Sequence, residues 1–278
     1  MRTMSKRFPF RDALTLITGA GSGIGRATAL RFAGLGSRVI ACDRNEEGLL
    51  SLRSELGDRY LHHATVDVGD RAAMKAFADD VQLRFGAIDV LVNNAGVGLS
   101  GGILDTSLDD WDWVLRVNVM GVVHGCHFFV PEMVKKGSGA VVNISSVLGF
   151  FPAAKVVGYV ASKHAVLGLT ESMRAELAPK GVRVSAVCPG VIDTAIIQST
   201  RFAGRADQEQ ARERTQATFK KRGYPPERVA DAIVDAIEGD VAVMPVSPEA
   251  WALRYATRFL PGVIPMLGRM SSRGATGK

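Results

Sequence analysis

Tyr159 and Lys163 stand four residues apart, and Tyr159 lies thirteen after Ser146. Side chains at i and i+4 project from one face of a helix. An unperturbed phenol titrates near pH ~10 and is a poor acid or base at neutral pH. An ammonium beside it stabilises the phenolate and lowers that pKa, each unit being worth about 1.4 kcal/mol. Such a pair could pass a proton to or from a bound alcohol or carbonyl. The spacing also arises by chance, so its meaning depends on the rest of the chain.

Two short motifs lie upstream, TGAGSGIG at 18–25 and NNAG at 93–96. Gly19, Gly21, Gly23 and Gly25 fall between an expected strand and an expected helix. Without Cβ atoms they let the backbone approach a pyrophosphate, which a helix N-terminus attracts. The pattern departs from G-x-G-x-x-G and reads T-G-x-x-x-G-I-G. Asp43 ends the second expected strand. A carboxylate there can accept from ribose hydroxyls and repels a 2′-phosphate, which favours NAD. Arg44 beside it could pair with that phosphate, which leaves NADP as the alternative.

The elements that must position these residues are legible as apolar runs alternating with amphipathic stretches. Strands are expected at 13–18, 37–42, 60–68, 88–94, 138–146, 182–188 and 241–245. Helices are expected at 24–34, 45–56, 70–85, 108–136, 157–178 and 228–238. Residues 190–224 read as irregular and charged, with a short helical stretch. This alternation predicts an α/β fold: one doubly wound, Rossmann-like domain, with about seven parallel strands and helices on both faces. In such sheets ligands sit beyond the carboxyl ends of the strands.

In this order the motifs resemble the short-chain dehydrogenase/reductase family in its shorter form. They are TGAGSGIG, Asp67-Val68, NNAG, Asn118, Ser146, Tyr159-x-x-x-Lys163 and Pro189-Gly190. The resemblance covers about residues 12–245 and leaves both ends outside it. It implies that Tyr159 exchanges a proton with the substrate oxygen. It implies that Lys163 holds the nicotinamide ribose and lowers the Tyr159 pKa, and that Ser146 polarises the substrate oxygen. Asn118 would position a water in a relay through Lys163. Gly19, Ser22, Gly23, Ile24 and Gly25 would cradle the phosphates of NAD or NADP. Asp43 and Arg44 would face the adenosine ribose, and Asp67 and Val68 the adenine. Asn94, Ala95 and Gly96 would line the cofactor cleft, with Pro189, Gly190, Ile192 and Thr194 near the carboxamide. Hydride loss from an alcohol carbon leaves a developing carbonyl whose proton must go to a base, the task Tyr159 would serve. The expected activity interconverts a secondary alcohol and a ketone. Intact Ser146, Tyr159 and Lys163 argue against the alternative, a non-catalytic dinucleotide sensor or scaffold.

Leu148, Phe150 and Phe151 follow Ser146 and suggest an apolar pocket for a steroid-like or lipid-derived substrate. The stretch 190–224 reads as a lid. The chain has 278 residues, a net charge of +6 and three cysteines. Residues 1–11 form a basic extension, residues 12–246 the catalytic domain, and residues 247–278 a basic, aromatic extension. Because both ends lack a balancing set of acids, the body is slightly acidic, which argues against a nucleic-acid face. Cys42, Cys126 and Cys188 sit in apolar segments, as reduced thiols of a cytoplasmic protein would. No apolar run reaches the length that spans a bilayer. His124 and His127 lack an evident third ligand, so no metal site is expected. Trp251, Tyr255 and Phe259 recur at helical spacing, which reads as a helix packed on the body or on another subunit and ended by Pro261. The same basic, aromatic stretch could instead lie on a membrane surface. A dimer or tetramer built through the helices at 108–136 and 157–178 is implied by the resemblance.

Overall fold

The structure is a computed structural model that describes residues 8–192, 195–205, 207–222, 224–260 and 262. The first half of the chain folds as β1 (Leu14–Thr18), α1 (Gly23–Gly34), β2 (Arg38–Asp43), α2 (Glu46–Leu56), β3 (Tyr60–Thr65), α3 (Arg71–Phe85) and β4 (Val90–Asn93). A short strand β5 (Leu99–Ser100) precedes α4 (Leu108–Leu115), α5 (Gly121–Lys136), β6 (Gly139–Ile144), α6 (Val157–Leu177) and β7 (Val182–Cys188). The chain closes with β8 (Arg201–Phe202), α7 (Gln208–Arg222), α8 (Pro226–Glu238), β9 (Val243–Pro245) and α9 (Pro248–Phe259).

Seven strands pair in the order β3-β2-β1-β4-β6-β7-β9, all parallel. Leu16 faces Ile40 on one side and Leu91 on the other. Side chains alternate between two cores. Leu14, Leu16, Ile40, Leu91 and Val141 pack under α3, α5 and α6. Ile17, Val39, Val90, Val92 and Val142 pack under α1, α2 and α8. A two-residue period buried on both faces produces the near-continuous apolar strands seen in the sequence. The strand order reverses between β1 and β4, and a crevice opens there beyond the carboxyl ends.

The glycine turn, the seven parallel strands and the six expected helices are present. Four features differ from expectation. The helix expected over 108–136 is interrupted by a π-helical turn at Arg116–Met120, which centres on Asn118. By length and composition the run 108–136, whose most apolar eighteen-residue stretch has a mean hydropathy of 1.3, could cross a membrane, which corrects the expectation that no such run exists. Here α5 instead packs against α3, β4 and β6, and α4 against α6. The segment 190–224 is more ordered than expected: α7 is fifteen residues long, and β8 pairs with β5 as a separate parallel ladder. α9 forms as expected over Trp251 to Phe259, but its aromatic rings do not pack on the body. They are exposed, whereas Ala250 is buried. At the other end Phe10 is buried, edge-on to Phe32 at 5.5 Å.

Candidate active site

The crevice is a cleft of about 760 Å³. Its floor is the glycine turn after β1 and residues 94–100 after β4. Asp43, Arg44, Asp67 and Val68 line one end. Ser146, Tyr159 and Lys163 line the middle, and residues 196–200, Phe202, Thr215 and Phe219 close the far side.

The first end fits a dinucleotide. Gly19 has φ +68°, and a Cβ there would lie 2.8 Å from the Cα of Ala95. A Cβ on Gly25 would overlap the Gly19 carbonyl, so Gly25 serves the tight packing of turn on helix rather than the cleft wall. Ser22 caps α1 without a side-chain hydrogen bond, and the first turn holds no acid. The first N–H groups of α1 are therefore free of a competing carboxylate and suit a pyrophosphate. The Asp43 carboxylate accepts from the Gly21 N–H and the Asn45 N–H, both at 2.9 Å, which fixes it at the tip of β2. Each oxygen keeps a lone pair for a ribose hydroxyl. Arg44 beside it is exposed. Burial raises the Asp67 pKa, but the Gly69 N–H and Arg116, 3.0 Å away, outweigh it and hold the carboxyl below its usual range. The Val68 carbonyl contacts the buried His124 Nδ1 at 2.8 Å.

Asn94 lines the cleft but braces the turn. Its Nδ2 donates to the Thr18 carbonyl at 2.9 Å and the Gly19 carbonyl at 3.0 Å. The Thr18 hydroxyl accepts from the N–H groups of Asn94 and Ala95, both at 3.0 Å. Gly96 leaves room for two side chains: a Cβ there would sit 3.2 Å from Asn118 Oδ1 and 3.6 Å from Lys163 Nζ.

In the middle, Ser146 Oγ accepts from the Leu148 N–H at 3.1 Å and lies 3.5 Å from the Pro189 carbonyl. Lys163 is buried and donates to the Ile144 carbonyl at 2.9 Å. Its Nζ lies 5.7 Å from the Tyr159 ring centre. Burial pushes the Tyr159 phenol up to about 12, against the pull of a hydrogen bond with Ser146. Burial draws Lys163 down to about 8, opposed by Cys188. The Lys163 ammonium is turned toward the Ile144 carbonyl. Desolvation outweighs the Ser146 hydrogen bond in setting the phenol.

Asn118 stands behind the cleft wall. Its Oδ1 accepts from the Val97 N–H at 2.8 Å, and its Nδ2 donates to the Val97 carbonyl at 3.0 Å and the Ser162 hydroxyl at 3.1 Å. Ser162 in turn donates to the Tyr159 carbonyl at 2.7 Å. This chain ties the π turn to the part of α6 that carries Tyr159. Pro189, Gly190 and Ile192 line the cleft as expected. Thr194 lies outside the described residues. Of the apolar residues after Ser146, Leu148 lines the cleft, while Phe150 packs against Leu167, Ala186 and Cys188.

The family model for short chain dehydrogenases matches residues 13–203. The chain belongs to the short-chain dehydrogenase family. It is 40% identical over 268 residues to a protein of Mycobacterium tuberculosis named probable oxidoreductase EphD, which covers 94% of this chain. The chain spans only 45% of that relative's length. It is 38% identical over 226 residues to the 3-oxoacyl-[acyl-carrier-protein] reductase FabG of Thermotoga maritima, covering 79% of this chain and 87% of that one. Among solved structures, a short-chain dehydrogenase/reductase from Burkholderia phymatum in complex with NAD superposes with a TM-score of 0.83. It is 32% identical and covers 91% of this chain and 96% of that one.

Some residues of this short-chain dehydrogenase's site were not singled out from the sequence. Thr18 and Ser162 act through hydrogen bonds between segments distant in the chain, which no local pattern announces. The buried bonds from Asn93 to Asn143, 2.9 Å, and from Asn143 to Thr170, 3.0 Å, are of the same kind. Thr215 and Phe219 reach the cleft from α7, a helix whose charged surface hides which face turns inward.

Proposed function

We propose that the chain interconverts a secondary alcohol and a ketone with a nicotinamide dinucleotide, NAD in preference to NADP. The observation that carries this is the meeting of Ser146, Tyr159 and Lys163 at the middle of a cleft whose other end fits a dinucleotide. A bound nicotinamide supplies or accepts the hydride. The phenol of Tyr159 gives its proton to the carbonyl oxygen in reduction and takes it back in oxidation. Ser146 hydrogen-bonds that oxygen and orients it toward the phenol. Lys163 holds the nicotinamide ribose, and its charge favours the phenolate once its ammonium turns toward the cleft. Asn118 positions Tyr159 through Ser162. Asp43 holds the adenosine ribose, and its fixed negative charge opposes a 2′-phosphate.

The substrate is apolar, either steroid-like or lipid-derived. Val97, Leu99, Leu148, Ile196, Ile197, Phe202 and Phe219 support this reading, since they wall the cleft beyond Ser146. A dimer or tetramer through α4, α5 and α6 belongs to the same proposal, supported by Leu108 at 82% and Met120 at 43% exposure. A cytoplasmic setting is proposed on the three free thiols. Fluorescence titration with NADH and NADPH, followed by a screen of ketones and alcohols with the tighter cofactor, tests the proposal. NADH is expected to bind more tightly and apolar ketones to turn over faster than polyols. Tighter binding of NADPH would overturn the assignment of Asp43 over Arg44.

A further inference from the structure

The apolar stripe of α9 faces away from the protein. Trp251, Tyr255 and Phe259, each one helical turn apart, are 38%, 55% and 69% exposed, and Leu260 beside them is 59% exposed. The rings form a ladder, with Trp251 and Tyr255 centred 5.8 Å apart and Tyr255 and Phe259 6.2 Å apart. The inner side of the helix is held by other means. Ala250 is buried, and Arg254 lies 5.5 Å over the Phe150 ring and 3.3 Å from Glu171. A surface helix ordinarily turns its apolar stripe to the core. A contiguous exposed aromatic strip with a polar rim marks a contact surface.

The charge pattern identifies what it contacts. From residue 250 to 278 the sequence holds Arg254, Arg258, Arg269, Arg273 and Lys278 and no acid. Directly after the ladder the sequence continues with Leu260, Val263, Ile264, Met266 and Leu267 before the next arginine. Rings and aliphatic groups interleaved with cations match the boundary of an anionic bilayer, where rings sit at headgroup depth and cations meet phosphates. A two-fold contact between copies through this face would set the same cations against one another, which is unfavourable. We propose that α9 docks the protein on an anionic lipid surface.

α9 also packs on the turn at Val147–Gly149, which carries cleft-lining residues. The docking helix is thereby adjacent to the substrate end of the cleft, which suits a substrate drawn from the lipid. That use rests on the apolar-substrate reading above, whereas docking itself does not.

Co-sedimentation of the full chain with vesicles tests the proposal and needs no substrate, so its outcome is separate from that of the turnover screen. Phosphatidylcholine vesicles with and without about one third phosphatidylglycerol are compared at low and high salt. The expected result is at least about tenfold more protein on the anionic vesicles, reduced by high salt. The triple variant Trp251→Ala, Tyr255→Ala, Phe259→Ala should lose about tenfold of that binding. Phe259→Ser alone, at the most exposed ring, should lose part of it while melting like the parent. Equal binding to both vesicles, no binding, or unchanged binding of the variants overturns the proposal. So does a drop in the light-scattering mass of the triple variant without lipid, which would place a second copy of the chain on this face.

Discussion

Burial sets the resting state of Tyr159 and Lys163, with the phenol held at about 12 and the ammonium at about 8. In the unfolded chain a lysine titrates near ~10.4. Between about pH 8 and that value the unfolded chain therefore binds more protons than the folded one, and stability attributable to Lys163 rises with pH. Relative to Lys163→Met, the wild type should gain roughly 1–3 kcal/mol across this window in chemical denaturation. A difference that stays flat from pH 7.5 to 10 would contradict a desolvated lysine. The spacing of Ser146, Tyr159 and Lys163 was legible because chemistry fixes residue types at fixed offsets. The pKa values were not, because desolvation depends on which distant segments cover each side chain. The sequence therefore indicated the lysine as a pKa-lowering partner, whereas the folded chain turns it to the Ile144 carbonyl.

At the scale of elements, the strands and the glycine turn were legible because apolar runs and glycine spacing are local signals. The π turn was not, since it centres on Asn118, whose partners Val97 and Ser162 lie in two other segments. Asn118→Ala would leave the buried N–H and carbonyl of Val97 without partners, at a cost of roughly 1–3 kcal/mol. Urea denaturation measures this, and a neutral effect would contradict the bracing role. The short helical stretch expected within 190–224 is the longer α7, whose bounds were not legible because Gln208–Arg222 carries charge around its whole circumference and no apolar period marks it. The β5–β8 ladder, two residues to a strand, is too short to leave a pattern. Arg201 in β8 holds that ladder to α4: its guanidinium lies 4.0 Å over the Trp113 ring and 3.0 Å from Asp110. Arg201→Ala should loosen the far wall of the cleft and raise KM about twofold to tenfold, with kcat changed less than about twofold. An unchanged KM would show that this contact does not shape the substrate end.

Across the whole molecule every cysteine is buried, Cys42 and Cys126 in the core under α3, α5 and α6 and Cys188 in a small cluster with Leu167 and Ala186. Burial pushes Cys126 and Cys188 up to about 12 and raises Cys42 as well. An unfolded thiol titrates near ~8.5, so above that pH the unfolded chain releases protons first and stability falls as pH rises. At pH 8 a disulfide reagent should find no reactive thiol in the native protein and three after unfolding in guanidinium. A thiol reactive in the native state would contradict the packing of that core. Sheet order and glycine turn open the cleft that Tyr159 lines, and the π turn braces its helix through Ser162. The most direct measurement is kcat/KM of Tyr159→Phe on a confirmed ketone, beside its affinity for the reduced cofactor. A fall of about 10²- to 10⁴-fold with cofactor affinity unchanged is predicted; turnover equal to the parent would contradict the assignment of Tyr159 as the acid and base.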